Sequence, residues 1–322
     1  MKAEKGFVEA EVPAGTDLAA EIARLKKEKN AVILAHYYTL PEIQDAADFI
    51  GDSLALARIA EGLDNDIIVM CGVHFMGETV KILCPDKKVL VPDLNAGCSL
   101  ADSCPAPELE AFIAGHPGHT VVSYVNTSAA VKALTDVVVT SGNAMQIVNA
   151  LPSGEKIIFG PDRNLGNYIN SQTGRDMVLW DGACHVHERF SAEAIARLKE
   201  EHPGAPVLVH PECRRPVVLM ADKVGSTAVL LKYALESPAD TFIVATESGI
   251  LHQMRKGAPG KTFIPVPPVD STCGCNDCNF MKLNTLRKLR DCLRHELNPV
   301  EVDPALAARA LRPIERMLEL SK

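Results

Sequence analysis

The chain has 322 residues, 47% of them hydrophobic, and a formal net charge of −8. That is apolar material enough for one large packed body or two or three smaller ones, and it excludes a disordered chain. The acidic balance and the lack of a Lys/Arg cluster exclude nucleic acid as the main partner, since phosphate-backbone binding needs a basic face, whereas a small anionic substrate stays compatible through a locally positive site. The opening MKAEKGFVEAEVP has no apolar core of signal-peptide length, and no run approaches the roughly 18 apolar residues of a membrane span. A soluble, cytoplasmic protein with no membrane partner is expected.

In chain order, Thr16 or Asp17 caps a first helix reaching about Glu28, with apolar residues at helical spacing. AVILA (31–35) follows as a buried-strand run ending on His36-Tyr37-Tyr38, and Pro41 opens the next helix. Strand-like and helical patterns then alternate to about residue 270, which predicts a parallel α/β architecture. NFMKLNTLRKLRDCLRHEL (279–297) reads as an amphipathic helix, and Asp303-Pro304 opens a last one to about Leu320. No Walker loop fits, because GAPGKT lacks the first glycine, and no GxGxxG follows a strand.

An internal repeat organises these elements. VILAH ends at His36, VVSY at Tyr124 and VLVH at His210, and a hydroxyl follows each tip 17 residues later, at Ser53, Ser141 and Thr227. Each copy continues with a second apolar strand (IIVMCG, IIFGPD, FIVATE) and a third ending near aspartate (VLVPD, MVLWD, TFIPVPPVD). The fold expected is α/β, as three similar parallel-sheet units with boundaries at 1–115, 116–202 and 203–322. Chemistry in such units gathers at the carboxyl ends of strands and at the helix N-termini that follow, so Ser53, Ser141 and Ser226-Thr227 are candidate anion sites.

Ten cysteines in a cytoplasmic chain are expected as reduced thiols or metal ligands. Cys71, Cys84 and Cys292 lie in apolar runs and read as small hydrophobes. Past the third strand of each copy lies a thiol in a polar loop: Cys98, Cys184, or one of Cys273, Cys275 and Cys278, a choice the repeat leaves open. Three thiolates leave one coordination position vacant, which suits a [4Fe–4S] cluster with one catalytic iron, whereas a structural zinc site closes with four donors. The competing reading is zinc held by Cys184 with His185 or His187. Acid–base capacity comes from His36, Tyr38, Tyr124, Asn126, His210 and Glu212 at the strand tips.

The segments ILAHYY, PEIQDAADFIGDSLALAR, HFMGETVKIL, VSYVNTSAAVKALTD, TSGNA, FGPDRNLGNYI, HPEC, KVGSTAVL, ATESGILHQM and CNFMKLNT resemble the quinolinate synthases of de novo NAD biosynthesis over nearly the whole chain. The resemblance implies a pseudo-threefold arrangement of three α/β units around a central [4Fe–4S] cluster held by Cys98, Cys184 and Cys278, leaving Cys273 and Cys275 as spare thiols. It implies condensation of iminoaspartate with dihydroxyacetone phosphate to quinolinate, releasing phosphate and two waters. Tyr38, His210 and Glu212 are then catalytic, and His36, Ser53, Tyr124, Asn126, Ser141, Ser226 and Thr227 bind substrate. A transient contact with the aspartate-oxidising enzyme that supplies iminoaspartate is also expected. The alternatives are another cluster-dependent hydro-lyase acting on a small hydroxy acid, or an iron–sulfur sensor.

Overall fold

A computed structural model describes residues 4–269 and 276–322; Asp270, Cys273 and Cys275 lie outside them. The described residues fall into two compact units, one of residues 4–98, Ser128–Ala133 and Asn279–Leu311, the other of Ser99–Thr127, 134–269 with 276–278, and Arg312–Lys322.

Both units are built from four-stranded, wholly parallel sheets of one design. The first sheet comprises β1 (Ala31–His36), β2 (Phe49–Gly51), β3 (Ile67–Cys71) and β4 (Lys88–Leu90) in the order β2-β1-β3-β4. The second unit holds two sheets. One contains β5 (Thr120–Tyr124), β6 (Val137–Val139), β7 (Ile157–Gly160) and β8 (Val178–Leu179), in the order β6-β5-β7-β8. The other contains β9 (Val207–Val209), β10 (Lys223–Val224), β11 (Thr241–Ala245) and β12 (Thr262–Pro265), in the order β10-β9-β11-β12. All six residues of β1 are buried, as expected of a parallel strand covered on both faces, which explains its unbroken apolar run.

The edge strands β2, β6 and β10 were not expected from the sequence. At two or three residues each they are too short to carry a periodicity, and each is introduced by an aspartate that does the registering. Asp48, Asp136 and Asp222 accept the backbone N–H of Ile33, Val121 and Val207 through Oδ2, at 2.8 Å in every case. Their own N–H groups return to the carbonyls of the same residues at 2.9 Å. This reciprocal lock fixes the start of each edge strand 15 residues beyond its partner, and the constant 17-residue spacing of the hydroxyls follows from it.

The first unit packs Ile22 and Leu25 of the capped helix Leu18–Glu28 against Ile33, Ala35, Val69 and Leu90 of the sheet, with Leu289 and Leu293 closing the cluster. The stretch expected as one helix after Cys278 is broken. Met281–Leu283 form a 3-10 turn, and the helix Leu286–His295 starts only after Thr285 caps it. The cause is Asn284, buried with its Nδ2 donating to the Gly72 and Met281 carbonyls. Among the described residues no helix is long and apolar enough to cross a membrane.

Candidate active site

In the second unit the tips of two sheets share one buried polar cluster. Tyr124 is the last residue of β5, and His210 and Glu212 follow β9 directly; all three are buried. Tyr124 Oη donates to Glu212 Oε1 at 2.5 Å. The other carboxylate oxygen, Oε2, meets His187 Nδ1 at 2.7 Å and lies 4.0 Å from His210 Nδ1. The His187 and His210 rings stack at 4.4 Å. His187 Nδ1 also lies 3.3 Å from Cys184 Sγ, and its Nε2 contacts Thr246 Oγ1 at 3.0 Å.

Burial alone would push the Glu212 carboxyl up, but His187, His210 and the hydrogen bonds from His187 and Tyr124 hold it down at about 2. Asp162, also fully buried, goes the other way, raised well above the usual range by burial and by the charge of Glu212. The two buried carboxyls are thus pushed in opposite directions, the separation by environment that acid–base chemistry uses.

Asp162 and Glu247 were missed by the sequence reading, although both close second-strand segments that it had already aligned. They stand two residues beyond Gly160 and Ala245, which pair with the equivalent positions Ser123 and Val209 of the first strands. Asp162 Oδ2 accepts the N–H of Cys184 at 3.1 Å and Oδ1 that of Leu165 at 2.7 Å. Glu247 Oε1 accepts the N–H of Cys278 at 3.0 Å and Oε2 that of Gly249 at 2.7 Å. The first copy has Val73 at this position. His187 was foreseen only as a zinc donor; its companion His185 turns to Ser99, 2.7 Å away, and stands outside the cluster.

The described thiols divide in two, and none forms a disulfide. Burial raises Cys71, Cys84, Cys213 and Cys292, and Cys104 up to about 12, so these behave as the inert hydrophobes expected of three of them. Cys98, Cys184 and Cys278 are half-buried. Within the first unit, Cys98 faces the fully buried Lys132, which burial lowers to about 8 against the pull of Glu78 and Cys98. A buried cation beside a thiol is the environment a thiolate ligand needs.

The remaining candidates sit as follows. In the first unit, His36 and Tyr38 come together, their rings 4.5 Å apart and the Tyr38 N–H on His36 Nδ1 at 3.2 Å, while Lys282 Nζ holds the Tyr38 carbonyl at 2.8 Å. Ser53 does open the helix Ser53–Glu61, but Asp52 caps it, so a carboxylate already occupies that N-terminus. In the second unit, Ser226 caps Thr227–Glu236 with Thr227 as the first helical residue. Ser141 does not open its helix, which begins at Ala144, because Asn143 takes the Thr140 N–H at 2.6 Å and holds a turn there. Gly142 of that turn abuts Ser226: a Cβ there would stand 3.5 Å from Ser226 Oγ. Asn126 is half-buried just past β5.

Parallel sheets whose carboxyl ends gather an ionised carboxylate, a phenol, two stacked imidazoles and a half-buried thiol define an α/β enzyme with metal-capable donors at its site. A family model described as Quinolinate synthetase A protein matches residues 20–319. Similar proteins include the quinolinate synthases of a Synechococcus species, 57% identical over 305 residues and 95% of each chain, and of Thermosynechococcus vestitus, 57% identical over 309 residues, 96% of this chain and 97% of the relative. That of Chloroherpeton thalassium is 54% identical over 306 residues and 95% of each chain. The chain belongs to the quinolinate synthase family of enzymes.

Proposed function

We propose that the protein condenses iminoaspartate with dihydroxyacetone phosphate to give quinolinate, one phosphate and two waters, a stoichiometry in which all atoms balance, as a step of NAD biosynthesis. The observation that carries this reading is the Glu212 cluster: a carboxylate held ionised by Tyr124, His187 and His210 one contact away from the Cys184 thiol. The cofactor proposed is a [4Fe–4S] cluster on Cys98, Cys184 and Cys278. The donor chemistry fits, because these three are half-buried whereas the other described thiols are buried. Cys278 is preferred to Cys273 because its backbone is held by Glu247 as that of Cys184 is by Asp162. When bound, the cluster supplies one open iron as a Lewis acid for the departing hydroxide.

The chain's own groups do the rest. Glu212 is ionised at neutral pH, so it begins as the base, taking a proton on its carboxylate and returning it in the dehydrations, with His210 Nδ1 4.0 Å from its Oε2. Tyr38 is the second proton carrier, and His36 orients the substrate beside it. Tyr124 keeps Glu212 in place through its hydroxyl, and Asn126 contacts the substrate. Ser226-Thr227, at a helix start with a neutral cap, takes a carboxylate or the phosphate; the Ser141 turn lies against it, and Ser53 supplies a third hydroxyl. Iron and sulfide analysis of anaerobically purified protein tests the cofactor: roughly four of each per chain are expected, with a spectral change on adding quinolinate. Cys98→Ser, Cys184→Ser and Cys278→Ser should each lose iron, and Cys273→Ser should keep it. Protein that holds no iron and sulfide even after anaerobic reconstitution overturns the reading.

A further inference from the structure

Cys184 Sγ, His187 Nδ1 and Glu212 Oε2 all lie within 4.8 Å of one another. We infer that, when the protein carries no cluster, these three side chains form a mononuclear site for a divalent cation of the zinc type, mutually exclusive with the cluster.

The donor set is one thiolate, one imidazole nitrogen and one carboxylate oxygen, a mixture that zinc accepts in sites keeping a fourth position for water. With bonds of 2.0–2.3 Å, donors around one tetrahedral ion stand roughly 3.3–3.7 Å apart. His187 Nδ1 is already 3.3 Å from Cys184 Sγ and 2.7 Å from Glu212 Oε2, so the imidazole and carboxylate need to part by only about 1 Å. Charge favours the ion as well. A dication with one thiolate and one carboxylate is neutral overall, which matters where His187 and Glu212 are 2% and 3% exposed. The half-buried Cys184 gives the site an approach from outside.

What separates this group from an ordinary buried polar cluster is that each donor has an outer partner of the kind metal sites use. His187 Nε2 faces Thr246 Oγ1 at 3.0 Å, ready to donate once Nδ1 gives its lone pair to the ion. Glu212 Oε1 is held by Tyr124 Oη, and the Cys184 N–H by Asp162 Oδ2. Binding releases the proton of the Cys184 thiol, while the imidazole proton passes from Nδ1 to Nε2, so affinity should rise with pH. The consequence, which rests on the functional reading above, is that one ion here removes Cys184 from the cluster ligands and Glu212 from proton transfer together.

The test uses the full chain stripped of metal under anaerobic conditions, titrated with Co²⁺ and then Zn²⁺. One Co²⁺ per chain is expected, with a thiolate-to-cobalt charge-transfer band and tetrahedral visible absorption, both displaced by one Zn²⁺. Cys184→Ser should abolish the band, and His187→Gln and Glu212→Gln should weaken binding at least about tenfold, as should Thr246→Val, which keeps every donor and serves if a donor variant fails to fold. Cys98→Ser and Cys278→Ser should bind as the parent does. Binding that requires Cys98 or Cys278 overturns the proposal while leaving the cluster reading intact, and the absence of any band in the stripped parent overturns it too. Preloaded zinc should block reconstitution with iron and sulfide; a cluster that forms with zinc retained overturns the exclusivity.

Discussion

Tyr124 ends β5 of one sheet and Glu212 lies just past β9 of another in the same unit, and their side chains meet at 2.5 Å, phenol to carboxylate. The contact makes the phenol part of what holds the carboxylate ionised, together with His187 and His210, against the burial that opposes it. Removing the hydroxyl with Tyr124→Phe therefore lets the Glu212 carboxyl titrate at higher pH. In the pH profile of kcat/KM the acidic limb should move upward, whereas Glu212→Gln should abolish that limb and lower kcat by about 10²–10⁴. A Tyr124→Phe enzyme that is slower but keeps its acidic limb would show that the phenol serves the substrate alone.

The same depressed carboxyl predicts how stability depends on acid. Its folded value is about 2 against an ordinary 4.5, so the folded state binds this proton less readily than the unfolded chain does. The stabilisation is fully present above the unfolded value and disappears as the pH falls from there through the folded value. On the order of 3 kcal/mol is involved. In urea unfolding, Glu212→Gln should flatten the acid side of the stability curve between these limits, with little added pH dependence above pH 6.

Much of this architecture was legible in the chain because a repeat was present to be read. The positions of β1, β5 and β9, and the polar tips His36, Tyr124 and His210, follow from apolar runs with a common spacing. What escaped was what periodicity cannot carry: edge strands of two or three residues, a helix start delayed by Asn284, and the pairing of groups distant in the chain. Tyr124 and Glu212 are 88 residues apart in sequence, and His187 and Thr246 are 59 apart. Ser141 was misjudged as a helix opener because a serine three residues before a helical pattern resembles a cap, whereas Asn143 forms the turn that fills that role locally.

The aspartate locks supply a prediction independent of function. Asp48→Ala, Asp136→Ala and Asp222→Ala each strip the acceptor from a partly buried backbone N–H at the entrance of a central strand. Each should cost about 1–3 kcal/mol in chemical denaturation. Asn variants, which keep one oxygen acceptor, should recover part of the loss. Asp48 also pairs with Lys26 at 2.6 Å, but both side chains are solvent-accessible, so Lys26→Ala should matter far less than Asp48→Ala.

The carboxylates Asp162 and Glu247 each tie a cysteine backbone to the start of a following segment, with one oxygen per contact, and neither side chain is exposed to solvent. Held this way, Cys184 and Cys278 have fixed backbones from which to present their thiols, which an outer partner of a metal ligand accomplishes for the ligand itself. Asp162→Asn and Glu247→Gln put an amide where two N–H donors converge, so one contact is lost and the loop loosens. In the metal-free protein, alkylation resolved by mass spectrometry should show Cys184 labelling about tenfold faster in the first variant and Cys278 in the second, with Cys98 at its parental rate in both. Protein carrying the proposed cluster should surrender iron to a chelator faster by a similar factor. The shorter or longer acids, Asp162→Glu and Glu247→Asp, keep both acceptors and should stay closer to the parent. Uniform acceleration of all three thiols would mean that these variants loosen the fold as a whole, and would remove the specific positioning role from both carboxylates.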